Sequence, residues 1–197
     1  AKVDWIYKEA PIAIIEYDIN TLTNQDVTAT ITFDRENVIV TGGNTHTFTE
    51  NGEYTFEFED AAGNTGTALA EVDWIDKVVP VATIEYDITE LTNQDVRATI
   101  TFDKENVTVT GGDTYTFTEN GEYTFEYTDA AGNTGRETAS VDWIDKVVAN
   151  ATIEYSTTTA TRNNVTVTVT FDKENVTILN NEGSNTYTFT ENAAFTF

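Results

Sequence analysis

Residues 115–135 read Tyr-Thr-Phe-Thr-Glu-Asn-Gly-Glu-Tyr-Thr-Phe-Glu-Tyr-Thr-Asp-Ala-Ala-Gly-Asn-Thr-Gly, and this stretch decides the fold class. Aromatic residues alternate with Thr or Glu on both sides of an Asn-Gly corner, which is the pattern of two β-strands that each bury one face. Asp, Asn and Gly at the two corners are residues that favour turns. The stretch therefore predicts antiparallel strands joined by short turns, in an all-β chain.

The pattern is one part of a repeat. Val-Asp-Trp begins at positions 3, 72 and 141 of the 197-residue chain, so the period is 69 residues. The third copy departs from this period where Thr-Gly-Gly-Asp-Thr-Tyr at 110–115 becomes Leu-Asn-Asn-Glu-Gly-Ser-Asn-Thr-Tyr at 179–187. We expect these additional residues to lie at a loop tip, because the patterns on both sides are intact.

The repeat sets the predicted domain boundaries. We expect residues 1–9 to be the end of a preceding repeat with its linker, 10–76 and 77–145 to be repeats 1 and 2, and 146–197 to be a truncated repeat 3 that lacks its last strand. Since the chain begins within a repeat and without Met, we expect it to be a piece of a longer array. Each full repeat is predicted to contain about seven short strands, which fits an antiparallel β-sandwich.

The composition excludes several classes of partner. The chain has 34 Asp and Glu residues against 10 Lys and Arg residues, and a net charge of −24. Phosphates would repel such a chain, so we expect no nucleic-acid partner and no docking on an anionic membrane. No apolar run reaches the roughly 18 residues of a membrane span, so no membrane insertion is expected. Cysteine does not occur in the sequence, which excludes disulfides and thiolate metal sites.

Several motifs resemble a known family. Gly121, Tyr123 and Phe125 have the spacing of the tyrosine corner of immunoglobulin-like domains, whose Tyr hydroxyl bonds to the backbone. The third copy has Ala193 and Phe195 at these positions, and a weaker corner is expected there. With Thr-Asn-Gln-Asp-Val at 92–96 and Asp-Ala-Ala-Gly-Asn-Thr-Gly at 129–135, the repeats resemble bacterial immunoglobulin-like (Big-type) repeats of cell-surface stalk and adhesin proteins.

The resemblance implies tandem immunoglobulin-like antiparallel β-sandwiches arranged in a rod. It also implies an extracellular location, on the cell surface or cell wall of a Gram-positive bacterium. The function expected from it is a non-enzymatic stiff spacer, or stalk, whose partners are the neighbouring repeats. Two alternatives stay open: an adhesive module that binds a host protein or glycan, and a subunit that associates head to tail into filaments by strand complementation.

Residues for catalysis are few. The only histidine, His46, aligns with Tyr115 and Tyr187, so it is interpreted as an alternating strand residue. One histidine supplies neither a catalytic triad nor a histidine-based metal site, and we expect no enzymatic activity. A Lys–Asn crosslink, as found in some Gram-positive stalks, would need a buried Lys such as Lys77 beside an Asn such as Asn133. The flanking carboxylates indicate instead that these lysines are exposed.

The acidic residues converge at the predicted junctions between repeats. In an immunoglobulin-like sandwich the entering linker lies at the same pole as the B–C and F–G turns, so oxygen ligands from all three would meet there. Such a set suits Ca²⁺ and no other cofactor is required, although Asp and Asn also favour turns without a metal. The predicted ligands at the second junction are Asp73, Asp76, Asp103, Glu105, Asp129 and Asn133, and those at the first are Asp4, Asp34, Glu36, Asp60 and Asn64. The third copy offers Asp142, Asp145, Asp172 and Glu174.

The tryptophans beside these acids have two interpretations. Trp5, Trp74 and Trp143 are predicted to pack between domains, where Trp74 would cover the seam against Ala130-Ala131-Gly132 of the next repeat. Alternatively, each tryptophan completes the core of its own repeat. The segment that follows Trp74 is short, apolar and free of Gly, so the junction is expected to be stiff in either case.

Overall fold

The computed structural model describes Ile6 and residues 8–197. The chain divides into two compact units, the first ending at Ile144 and the second extending from Asp145 to Phe197. Both are built from antiparallel β-sheets, and in the described residues the only helical segment is one short 3₁₀ turn. The prediction of an all-β chain is confirmed.

Six strands form the first repeat, in two three-stranded antiparallel sheets. One sheet has the order β1-β2-β4 and the other the order β3-β5-β6. The strands are β1 (Ala13–Tyr17), β2 (Val27–Phe33), β3 (Ile39–Val40), β4 (Thr45–Phe48), β5 (Gly52–Glu59) and β6 (Thr65–Val72). The longest pairing joins β5 to β6, from Gly52 opposite Val72 to Glu59 opposite Thr65.

The second repeat has the same arrangement. Its sheets have the orders β7-β8-β10 and β9-β11-β12. The strands are β7 (Ala82–Tyr86), β8 (Val96–Phe102), β9 (Thr108–Val109), β10 (Thr114–Phe117), β11 (Gly121–Thr128) and β12 (Thr134–Val141).

Alternate residues of each strand enter a core that both sheets share. In the first repeat Val27, Ala29 and Ile31 of β2 are at most 1% exposed, and Phe56 of β5 is 0% exposed. In the second repeat Phe125 of β11 is likewise 0% exposed. The two-residue period arises because successive side chains of a strand point to opposite faces. Two sheets around one core are consistent with a β-sandwich.

The predicted count of about seven strands per repeat was one too high for the repeats described here. The chain passes from β3 to β4 through Gly42 and Gly43, whose φ angles are +84° and +105°. These left-handed conformations favour glycine and give a tight turn, which leaves no room for another strand between β3 and β4.

The second unit has a single described sheet. Its strands are β13 (Ala151–Tyr155), β14 (Val165–Phe171) and β15 (Thr186–Phe189), in the order β13-β14-β15. The three additional residues of this copy fall in the 3₁₀ turn Asn181–Gly183, which lies between β14 and β15. The prediction that they lie at a loop tip is confirmed.

The tyrosine of the corner motif stacks on a neighbouring ring. Tyr54 lies 3.7 Å from the ring of His46, and Tyr123 lies 3.8 Å from that of Tyr115. In the third copy Phe195 stacks on Tyr187 at 3.9 Å, because stacking needs no hydroxyl group.

A different tyrosine bonds to the backbone. The hydroxyl oxygen of Tyr17, at the end of β1, accepts a hydrogen bond from the Glu71 N–H at 3.0 Å, and Tyr86 accepts one from Ser140 at 2.9 Å. Each bond ties the first strand of a repeat to its last strand.

Candidate functional site: the junction between repeats

The linker that joins β6 to β7, residues 73–81, begins as an extension of the first repeat. The Thr23 N–H donates to the carbonyl of Trp74 at 3.0 Å, and the Asp76 N–H donates to the carbonyl of Thr23 at 2.8 Å. Together they form a parallel bridge between Thr23 and Ile75. Thr23 is only 6% exposed. The first part of the linker is therefore bonded to a buried residue of the first repeat.

An asparagine side chain holds the same point of the linker. The Asn51 amide donates from Nδ2 to the carbonyl of Ile75 at 2.9 Å and accepts the Ile75 N–H at 2.7 Å. Asn120 makes the equivalent pair with Ile144 in the second repeat, at 3.0 and 2.7 Å. The Asn of the Glu-Asn-Gly corner is therefore a turn residue that also holds the linker through two hydrogen bonds. We call this pair of bonds the asparagine clamp.

The described contacts of Trp74 lie within its own repeat. Its indole Nε1 donates to the carbonyl of Ile19 at 3.0 Å, and its ring meets that of Tyr17 edge to face at 5.1 Å. Trp143 does the same with Ile88 and Tyr86. These contacts favour the interpretation in which the tryptophan completes its own core. Trp5 lies outside the described residues.

Lys77 continues the attachment to the first repeat. Its ammonium group binds the Asp26 carboxylate and donates to the carbonyl of Thr49 at 2.7 Å. Both partners belong to the first repeat, although Lys77 is the first residue of the predicted second repeat.

The second repeat reaches back to the linker through Lys104. Its Nζ lies 2.8 Å from Oδ2 of Asp76 and 3.5 Å from Oδ2 of Asp129, and it also donates to the carbonyl of Val78. One ammonium group thus joins the turn after β8 to the acid of the linker and to the turn after β11.

The turn after β11 makes two further bonds across the seam. Asn133 Nδ2 donates to the carbonyl of Asp76 at 2.8 Å, and the Asn24 N–H of the first repeat donates to the carbonyl of Ala131 at 2.9 Å. Asn24 also lies against Gly132. The seam that Trp74 was predicted to cover is thus occupied by Asn24.

Asp129 organises that turn from within. Its Oδ1 accepts the N–H groups of Ala131 at 3.0 Å and Asn133 at 2.8 Å, and its Oδ2 accepts the Asn133 side chain at 3.0 Å. Burial is the largest influence on this carboxyl and opposes its ionisation, but the hydrogen bonds from Asn133 and Ala131 and the charge of Lys104 together outweigh it, so the pKa of Asp129 is lowered.

The ion pair between Asp76 and Lys104 shifts the pKa of both groups. The hydrogen bond from Lys104, followed by that from the Val78 N–H, lowers the pKa of Asp76 below its ordinary value of 3.8. The same bond from the other side raises the pKa of Lys104 above 10.5. Both groups are therefore charged at neutral pH.

The structure brings together only part of the predicted calcium set. Asp76, Asp129 and Asn133 lie together, joined by Lys104 and by the bond from Asn133 to Asp76. Asp73 and Glu105 are exposed. Asp103 accepts the N–H of Val81, the residue before β7, at 2.7 Å. Among the described residues no group of three or more acidic, His or Cys side chains could hold a metal ion. Because Lys104 lies between Asp76 and Asp129, the arrangement does not fit a cation there. Calcium at the junctions stays a prediction.

Among the predicted ligands of the first repeat, too, only some lie together. Asp60 is 7% exposed and pairs with Asn64 through its turn, and Arg35 Nη1 lies 3.5 Å from Asp60 Oδ2. Asp34 caps Ile12 at 2.9 Å, and Glu36 is exposed. Asp4 lies outside the described residues. Arg35 thus occupies the position of Lys104.

In the second unit Lys173 is the basic residue equivalent to Arg35 and Lys104. Its Nζ lies 2.6 Å from the Asp145 carboxylate and also binds the carbonyl of Val147. Asp172 caps Asn150 at 2.7 Å, and Glu174 is exposed. Asp142, in the first unit, is exposed too.

Sequence reasoning missed the basic and amide residues of the junction. These are Asn24, Asn51, Lys77 and Lys104. A signal was present, since a Lys or Arg stands among acids at positions 35, 104 and 173, one period apart. An ammonium or guanidinium group surrounded by carboxylates is a ready alternative to a metal ion.

Comparisons with known proteins identify no family for this chain. No family model matches the chain, and no curated protein matches it. Within the described residues, none of the helical structure has the length and apolarity to cross a bilayer.

Proposed function

We propose that the chain is a non-enzymatic structural spacer of tandem immunoglobulin-like sandwiches, on the outside of a bacterial cell. The observation that carries the proposal is the junction between the first two repeats, where the linker is bonded to both of its neighbours. Its role is to hold a terminal module at a fixed distance from the surface.

The strand order supports the immunoglobulin-like part of the proposal. If β1 to β6 correspond to strands A, B, C, E, F and G, the two sheets have the orders A-B-E and C-F-G. These are the sheets of an immunoglobulin constant-type domain without its D strand.

The distribution of bonds supports stiffness. Asp76 is attached to the first repeat through its backbone N–H and to the second through its carboxylate and its carbonyl. Bending at this residue would have to break bonds on one side or the other. A Gly/Ser linker without such bonds would let the two repeats move independently.

Distances between spin labels test this proposal. The sequence has no cysteine, so labels can be attached through Thr32→Cys in the first repeat and Thr101→Cys at the equivalent exposed position of the second. We expect a narrow distance distribution by pulsed electron resonance. A broad distribution for the wild-type junction would rule out a stiff spacer.

Binding assays separate the spacer from the adhesive alternative. A saturable interaction between the first two repeats and a host protein or glycan would favour an adhesive module. For a spacer we expect no such interaction on a glycan array.

A further inference from the structure

The dipeptide Asn-Gly occurs twice in the sequence, at 51–52 and at 120–121. The two pairs lie at the corners where β5 and β11 begin, and all four residues are exposed. A Cβ built on Gly52 or on Gly121 would meet nothing within 4 Å. Each corner is thus reached by water, and the backbone nitrogen after each asparagine belongs to a residue without a side chain.

An asparagine followed by glycine can lose its side-chain amide without an enzyme. The glycine nitrogen attacks the asparagine Cγ and a C–N bond forms, while the bond from Cγ to Nδ2 breaks and Nδ2 leaves as ammonia with the proton of the glycine nitrogen. One water molecule then opens the succinimide ring to aspartate or isoaspartate. Glycine favours the attack because its backbone is the least restricted and no side chain hinders the approach.

The asparagine clamp opposes this reaction in the folded first repeat. Nδ2 of Asn51 donates to the carbonyl of Ile75 at 2.9 Å, and Oδ1 accepts the Ile75 N–H at 2.7 Å. One planar amide makes both bonds, whereas the attack makes Cγ tetrahedral and the loss of ammonia removes the donor. Because Ile75 is only 7% exposed, the amide is held planar by a packed residue for as long as the clamp is closed.

The second repeat has the same protection. Asn120 is bonded to Ile144 at 3.0 and 2.7 Å, and Ile144 is only 8% exposed. Deamidation would reverse the effect of either clamp, because a carboxylate has no donor for the isoleucine carbonyl. The oxygen that replaces Nδ2 would face that carbonyl oxygen, so repulsion would take the place of a hydrogen bond.

We propose that Asn51 and Asn120 are self-modification sites, which deamidate when the clamp opens and thereby prevent it from closing again. Water is the only co-reactant. An opening of the linker that lasts long enough thus becomes permanent. The modification is a property of the two corners and does not depend on the role of the chain as a spacer.

Conservative variants of the two isoleucines test this gating on the full chain. Ile75→Val removes one buried methyl group and should open the first clamp more often, so that Asn51 deamidates about two- to tenfold faster while Asn120 is unchanged. Ile144→Val should do the reverse. Peptide mapping by mass spectrometry at mildly alkaline pH measures both sites in each sample. Equal rates at a given asparagine in wild type and both variants would overturn the gating.

A peptide of residues 47–56 supplies the reference without a clamp. Its asparagine should deamidate about tenfold faster or more than Asn51 of the folded chain, since the folded chain must first open locally. Equal rates in peptide and folded chain would also overturn the gating. Gly52→Ala should slow the reaction at Asn51 in the folded chain, and an unchanged rate would exclude attack by the nitrogen of residue 52.

The effect of the modification on the linker is measured with Asn51→Asp, which has the product side chain. We expect the Ile75 N–H to exchange with solvent about tenfold faster in this variant, because the clamp has lost one bond and gained a repulsion. Asn120→Asp is the matched control and should leave exchange at Ile75 unchanged. Circular dichroism shows whether each variant is folded. Equal exchange at Ile75 in wild type and in folded Asn51→Asp would refute release of the linker.

Discussion

Lys104 Nζ lies 2.8 Å from Oδ2 of Asp76, so a cation of the second repeat neutralises an acid of the linker that leaves the first. The residue next to that acid, Lys77, has its ammonium group on Asp26 of the first repeat. Neighbouring residues of one linker are thus bonded to opposite domains. This arrangement makes the junction the part of the molecule in which substitutions are most informative.

Replacing Lys104 by Met should loosen the junction without unfolding either repeat. Both Asp76 and Asp129 lose their cation, and the carbonyl of Val78 loses a donor. We expect a broader distance distribution between labels at positions 32 and 101, and a lower urea midpoint for the first unit.

Arg136→Met is the matched control for this substitution. Arg136 pairs with Glu126 at 2.7 Å, but their side chains are 74% and 53% exposed. Exposed pairs contribute little to stability, so neither the distances nor the midpoint should change. Equal effects of the two variants would mean that charge alone, and not the position of Lys104, matters.

Acid should weaken the junction. The pKa of Asp76 is lowered in the folded state, so its stabilising contribution is complete above the ordinary value of 3.8 and is lost as the pH falls through the folded value. The pKa of Lys104 is raised, so its contribution is complete below 10.5 and is lost as the pH rises through the folded value.

Asp76→Asn isolates this effect from the net charge of −24, whose self-repulsion also changes with pH. Urea midpoints of wild type and variant should differ most near neutral pH and converge as the pH falls through the lowered pKa of Asp76. A difference that persists in strong acid would contradict the assignment to this carboxylate.

Gly135→Ala should destabilise the second repeat. A Cβ there would lie 2.4 Å from the ring of Tyr127, which is 6% exposed and packed in the core. The expected loss in the free energy of unfolding is about 1–3 kcal/mol, typical of overpacking, and urea denaturation measures it. Gly121→Ala, where a Cβ would have nothing within 4 Å, should change stability by less than about 0.5 kcal/mol.

Calcium should leave the melting temperature of the wild-type chain unchanged, because the Lys104 ammonium already lies between Asp76 and Asp129. Lys104→Gln exposes both carboxylates and should make melting more sensitive to added calcium. Thermal melts with calcium and with chelator measure both effects. An upward shift of several degrees for the wild type would instead support calcium binding at the junctions.

The fold could be predicted in large part because β-structure has a two-residue period. Val27, Ala29 and Ile31 alternate with Thr, and this pattern alone places them in a core. The number of strands was less predictable, since the left-handed conformations of Gly42 and Gly43 decide how much chain the turn consumes. Glycine permits the left-handed conformation but does not require it, so the sequence alone does not show that it occurs here.

The junction could be located from the sequence but not described. Asp76, Asp129 and Asn133 were expected to converge, and they do. Long side chains such as Lys77 and Lys104 can reach either neighbour, and the sequence gives no preference between them. The asparagine clamp was hidden for another reason: Asn51 lies in a corner motif that already explains its presence as a turn residue.

The parallel bridge between Thr23 and Ile75 has a mechanical consequence. When the chain is pulled by its two ends, the segment that follows β1 is drawn one way and the linker the other, along a common strand axis. The two backbone bonds of the bridge, at 3.0 and 2.8 Å, are then loaded in shear and must break together, whereas bonds at the edge of a hairpin unzip one at a time. Each of the first two repeats therefore resists extension at the point where its linker leaves toward the next repeat.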